Sequence, residues 1–148
     1  MGKALSGGSR GVSPGGGIAL CYANHVVCAL ESEDGSNYTG SCIEACSGVM
    51  NLCAERVAAL NMYISSGQTK IRRLIAFRDR APYGGGSGMP CGACREFLYQ
   101  LNERNEDMEI MVDYETRQTV TLRKLTPGWW GKERYQKQWE AAEREEQA

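Results

Sequence analysis

Apolar residues fall in short runs along most of the chain, and their period changes from run to run. His25–Ser32 (HVVCALES) is β-branched and apolar and predicts a strand, and Ser36–Ile43 (SNYTGSCI) predicts a second. Asp34-Gly35 between them is a hairpin signal, because glycine accepts positive φ at no steric cost. From Asn51 to about Ser66 the period becomes helical, with Cys53, Val57, Leu60 and Ile64 as the apolar positions. Asn51 is the expected N-cap and Gly67 the expected stop. Ile71–Phe77 predicts a strand, Arg78–Met89 a glycine-rich loop, and Pro90 opens a second helix from Cys91 to about Asn102. Glu109–Asp113 and Gln118–Leu122 predict two further strands, and the chain from Lys132 onward predicts a charged helix with one solvated face.

The order β-β-α-β-α-β-β-α shows no internal repeat and points to a three-layer α/β/α fold around a mixed five-stranded sheet. Only residues Tyr114–Arg117 join the last two strands. A parallel pair needs a crossover of about a dozen residues, so the last strand should be antiparallel. Met1–Gly17, rich in Gly, Ser and Pro, reads as a flexible arm, and residues 18–148 as one domain.

With 148 residues and 42% hydrophobic content, the chain is suited to one packed core and is not a disordered polymer. A formal net charge of −1 gives no basic face for nucleic acid, and favours a small substrate. No apolar run reaches the length of a membrane span, and the N-terminal residues lack the apolar stretch of a signal peptide, so a cytoplasmic protein is expected. In that setting seven cysteines suggest metal binding, catalysis or burial and not a disulfide framework.

Spacing separates these roles. Cys53-Ala54-Glu55 opens the first long helix, and Pro90-Cys91-Gly92-Ala93-Cys94 opens the second. Thiols at helix N-termini ionise more readily, because the helix end carries partial positive charge. Cys53, Cys91 and Cys94 are therefore a set of three zinc ligands, and a catalytic zinc site keeps its fourth place for water. Three thiolates leave excess negative charge around the ion, which Arg56, or Arg95 as a second candidate, can offset. Glu55, beside the metal and not on it, is placed for general acid–base work. The rival reading is structural zinc, with Cys42 or Cys46 as fourth ligand; a redox pair is a further one. Cys21, Cys28, Cys42 and Cys46 otherwise read as small buried residues, and His25, the sole histidine, as a strand-end or pocket residue.

These residues resemble the cytidine deaminase family, including its blasticidin-S deaminase branch. CAER at Cys53–Arg56 and PCGACR at Pro90–Arg95 carry the likeness, supported by DGSNYTG at Asp34–Gly40 and LTPGWW at Leu125–Trp130. The resemblance implies Zn2+ held by Cys53, Cys91 and Cys94, with Glu55 as proton shuttle and Arg56 buffering the thiolates. It implies that the Ala54 amide meets the ring carbonyl oxygen and that the Cys91 carbonyl accepts from the amino group. It also implies a homo-oligomer, a tetramer or else a dimer, with Trp130 closing a neighbour's pocket, and a place in pyrimidine salvage. An antiparallel last strand belongs to the free-nucleoside side of the family. Two departures bear on substrate. The family's sugar-binding Asn-x-Glu reads Cys42-Ile43-Glu44 here, which keeps the carboxylate and loses the amide. Asn24 stands where a stacking Phe is common, with Tyr22 as a nearby aromatic. The expected substrate is cytidine or deoxycytidine, with blasticidin S or another amino-heterocycle as the alternative and a non-catalytic zinc-stabilised domain as the reading from another class.

Overall fold

The computed structural model describes residues 21–85 and 87–148, with side chains from Val26 onward. The arm expected at residues 1–17 lies outside these residues.

Strands β1 (Cys21–Ser32) and β2 (Asn37–Ala45) form the expected hairpin, with Gly35 at φ 87° in its turn. Asp34 holds that turn by accepting from the Ser32 hydroxyl and the Ser36 amide. Helix α1 (Ala54–Ser66) leads into β3 (Ile71–Phe77), and α2 (Gly92–Leu101) leads to β4 (Glu109–Asp113) and β5 (Gln118–Thr121). A one-turn helix α3 (Leu122–Leu125) and the long α4 (Gly131–Gln147) follow. The sheet has five strands in the order β2-β1-β3-β4-β5. Only β3 and β4 run parallel, joined by the crossover through α2, and β5 is antiparallel to β4 as the short link requires.

The main core lies on one face of the sheet, where Cys28 and Leu30 of β1, Leu74 and Ala76 of β3, and Ile110 and Val112 of β4 are all buried. Ala54, Ala58, Ala59 and Met62 of α1 cover it, with Leu98 and Tyr99 of α2 and Trp129 beyond them. Tyr135 and Trp139 bring α4 onto the same cluster. Asn105, fully buried, ties the crossover down: it accepts from the Ile71 amide and donates to the Thr69 and Leu98 carbonyls.

Several expected boundaries move. Helix α1 starts at Ala54 with Cys53 as N-cap, and not at Asn51. Leu52 pairs with Ile43 in an extended bridge, and the Asn51 side chain accepts from the Ala45 amide, so the chain stays extended until Cys53. The buried stripe of α1 is Ala54, Ala58, Ala59 and Met62, whereas Ile64 of the expected stripe is 79% exposed. The reason is steric: Gly40 brings the helix axis down onto β2, and only small residues fit the resulting gap. Leu122, expected to end β5, instead starts α3, because the Thr121 side chain accepts from the Lys124 amide and caps that turn.

Candidate active site

The site forms where two helix N-termini meet. The bridge at Leu52 delivers Cys53 to the start of α1, and buried Pro90 delivers Cys91 to the start of α2. Cys94 lies one turn into α2 and is fully buried. The sulfurs of Cys53 and Cys91 are 3.4 Å apart, and those of Cys91 and Cys94 are 3.6 Å apart. Tetrahedral zinc with Zn–S of about 2.3 Å would set its sulfurs about 3.8 Å apart, so small adjustments fit the ion. Among the described residues this group has three members, and neither Cys42 nor Cys46 joins it. The fourth ligand that the rival structural-zinc reading needs from either one is therefore not brought to the cluster.

Burial drives the Cys94 thiol far up, and the Glu55 carboxylate adds to it. Burial also raises Cys53. Cys91 is held below the ordinary thiol range: its partial burial is outweighed by bonds from the Cys94 and Ala93 amides and by the neighbouring sulfurs. Sulfurs this close cannot all ionise together unless a divalent ion offsets their charge. Arg56 faces the cluster, its Nη2 3.8 Å from the Cys53 sulfur. Among the described residues, Arg56 Nε is the buried side-chain nitrogen with no hydrogen-bond partner. Arg95, the other candidate for charge compensation, is used elsewhere: it donates to the carbonyls of Pro90 and Leu125 and ties the later segment to α2.

Glu55 is 6% exposed, and its Oε2 lies 3.8 Å from the Cys94 sulfur. Burial raises its pKa above the usual carboxylate range, against opposing pulls from its own amide, Cys94 and Arg56. Ala54, the first residue of α1, is fully buried, and its N–H is among the helix-end amides that have no intrahelical acceptor.

The remaining expected site residues are placed as follows. Glu44 is half-buried and shares a sheet face with Cys42 and Gly40. Cys42 packs into the core cluster, and Cys28 is buried too, but Cys46 is exposed, contrary to the burial expected of it. Trp130 is 55% exposed; its indole N–H donates to Glu96 and its ring meets Tyr135 edge-on. The side chains of Cys21, Tyr22, Asn24 and His25 lie outside the described residues.

No family model matches the chain. A cytidine deaminase from Sporosarcina psychrophila is 32% identical over 105 residues, spanning 71% of this chain and 74% of that protein. The chain belongs to the cytidine deaminase family.

Solved structures agree. Cytidine deaminase from Mycobacterium leprae, 25% identical, covers 85% of this chain and 92% of its own with a TM-score of 0.58. The enzyme from Burkholderia pseudomallei shares the fold at 20% identity, covering 86% of this chain and 98% of its own, also with a TM-score of 0.58. For this cytidine deaminase-family hydrolase, the Cys53–Cys91–Cys94 cluster fits a zinc site. No described helix is long and apolar enough to cross a membrane.

One residue at this end of the molecule escaped the sequence reading. Glu96 accepts from the indole N–H groups of both Trp129 and Trp130. The available signal was the Trp-Trp doublet itself, since two indoles that pack need two acceptors.

Proposed function

We propose that the protein hydrolytically deaminates a cytosine nucleoside, releasing ammonia and the uracil product. The observation that carries this reading is a buried carboxylate, Glu55, 3.8 Å from Cys94 in a cluster of three cysteines that has no fourth cysteine within reach among the described residues. A structural zinc site would want that fourth ligand and would have no use for the acid.

Zinc, when bound by Cys53, Cys91 and Cys94, would acidify water and so provide a nucleophile near neutral pH. Glu55 would take a proton from the attacking water and pass it to the ring nitrogen as the water oxygen adds to the amine-bearing carbon. It then carries the remaining hydroxyl proton to the amino group, which leaves as ammonia while the carbonyl forms. A carboxyl raised by burial suits both halves, because it must accept and return a proton at one pH. The Ala54 amide would bind the ring carbonyl oxygen, and the Cys91 carbonyl would accept from the amino group and orient it. Arg56 would offset the thiolate charge.

Glu44 would hold a sugar hydroxyl. Cys42, in place of the amide, is a poor hydrogen-bond partner for a sugar, which favours a second reading. On that reading the sugar is elaborated, as in blasticidin S, and plain cytidine is a weak substrate.

The active form would be a homo-oligomer, tetramer or dimer, in which Trp130 of one protomer closes the site of its neighbour. Exposed Val49, Tyr63 and Ile64, 91%, 50% and 79% accessible, are apolar side chains that a subunit contact would cover. A cytoplasmic enzyme of pyrimidine salvage fits the six described cysteines, all of which are free thiols.

The test is a substrate panel of cytidine, deoxycytidine, cytidine monophosphate, cytosine and blasticidin S, with kcat/KM measured for each. The proposal expects cytidine or deoxycytidine to lead. Blasticidin S in the lead would establish the second reading, and no turnover of any member by zinc-loaded protein would contradict both.

A further inference from the structure

Trp130 presents a large ring to solvent, yet that ring is fixed. Its indole N–H donates to Glu96 Oε1 at 2.8 Å, while the Trp129 indole donates to Oε2 of the same carboxylate at 2.6 Å. Trp129 is itself immobilised, stacked on Tyr99 at 4.7 Å and on Trp139 at 5.6 Å. Gln100 adds a donor to Glu96 at 2.9 Å. One residue earlier on α2, Arg95 donates to the Leu125 carbonyl at 3.1 Å. The segment from Leu125 to Trp130 is thus fastened at both ends to the helix that carries Cys91 and Cys94.

From this we infer that Glu96 is a positioning residue: it holds the exposed face of Trp130 in one orientation, ready to stack on a flat heterocycle. This rests on the reading that Trp130 closes a substrate site in the oligomer. An exposed indole joined by rotatable bonds would have to be ordered on binding, at a cost of about 0.5–1.5 kcal/mol for one such side chain. A carboxylate shared between two indoles meets that cost during folding. Neither indole can turn over without leaving its acceptor, and the buried one cannot move at all without disturbing the core.

The test is a double-mutant cycle on the zinc-loaded full chain, with cytidine or whichever panel member proves to be the substrate. Trp130→Ala should raise KM. Glu96→Ala should raise KM about 2- to 12-fold, the ordering cost restated as a ratio, with kcat and zinc content little changed and Tm lowered by the loss of the Trp129 acceptor. Combined, the two should do no more than Trp130→Ala alone, because Glu96 acts through that ring. A merely structural role for Glu96 would instead leave KM unchanged, or change it independently of Trp130→Ala so that the two effects multiply. Unchanged KM in Trp130→Ala would overturn the reading of Trp130 and the clamp with it. Raised KM in Trp130→Ala, with no effect or an independent effect of Glu96→Ala, would overturn the clamp alone. If Glu96→Ala does not fold, Glu96→Gln serves in its place, since the indoles donate to different carboxylate oxygens and one of these becomes an NH2 that cannot accept.

Discussion

Gly40 of β2 and Ala58 of α1 approach so closely that a Cβ on residue 40 would come within 2.4 Å of the Ala58 amide nitrogen. The same atom would stand 2.8 Å from the Ala54 carbonyl oxygen. Both obstacles are backbone, so no side chain can swing away. This contact sets the height of α1 over the sheet, and with it the position of Cys53, Ala54 and Glu55.

Gly40→Ala is therefore expected to destabilise the fold by about 1–3 kcal/mol, the usual cost of overpacking a tight core. Because the strain falls at the start of α1, zinc binding should weaken too. Chemical denaturation and metal titration would check both. A variant with wild-type stability would mean that the helix is free to lift.

Asn105 is the second point at which one side chain holds a large piece of fold. Asn105→Ala would take the side-chain partner from the Ile71 amide and leave the Leu98 carbonyl only the Asn102 amide at 3.4 Å. The expected loss is about 3 kcal/mol, from buried polar groups left unsatisfied. Equilibrium unfolding measures it directly, and a loss under about 0.5 kcal/mol, as at an ordinary surface site, would contradict the role.

Metal content should follow the cluster residue by residue. Cys91→Ser and Cys94→Ser are expected to lose zinc, because a hydroxyl does not ionise to replace a thiolate. Cys42→Ser and Cys46→Ser are expected to keep it, since neither sulfur belongs to the group. Metal analysis after dialysis would decide, and loss of zinc in Cys46→Ser would point back to a four-ligand structural site.

The raised pKa of Glu55 makes a prediction for zinc-stripped protein. The folded state holds this proton more tightly than the unfolded chain does. Its contribution to stability is thus present below the ordinary glutamate value of about 4.3 and is lost as pH rises through the raised folded value. Glu55→Gln removes the charge, leaving the buried Cys28 and Cys94 thiols and Arg56 around it. The variant should gain stability over wild type as pH rises from about 4 toward neutral, and the gain should then level off. Tm measured across that range checks it, and a gain that shrinks with rising pH would contradict the burial argument.

Much of this was legible in the sequence. The two cysteine motifs mark helix starts, and the hydrophobic periods name every strand between β1 and β5. The four-residue link Tyr114–Arg117 dictates the antiparallel last strand that the structure shows. What the sequence hid depends on contacts distant along the chain. The buried face of α1 is set by a glycine on another strand, so its small alanines face inward while Ile64 points out. Arg56 and Arg95 both stand close to cysteines in sequence, yet Arg95 is taken up by two backbone carbonyls. Glu96 has no local pattern of its own, and its role appears only when residues 34 positions apart meet.

The most direct measurement is ammonia release by zinc-loaded wild type and Glu55→Gln, with zinc content confirmed in both. Wild type should release ammonia from at least one cytosine nucleoside of the panel, and the variant should lose at least about 100-fold, the lower range for removing a general acid–base group. Equal release by both proteins would contradict the central claim that Glu55 moves the protons.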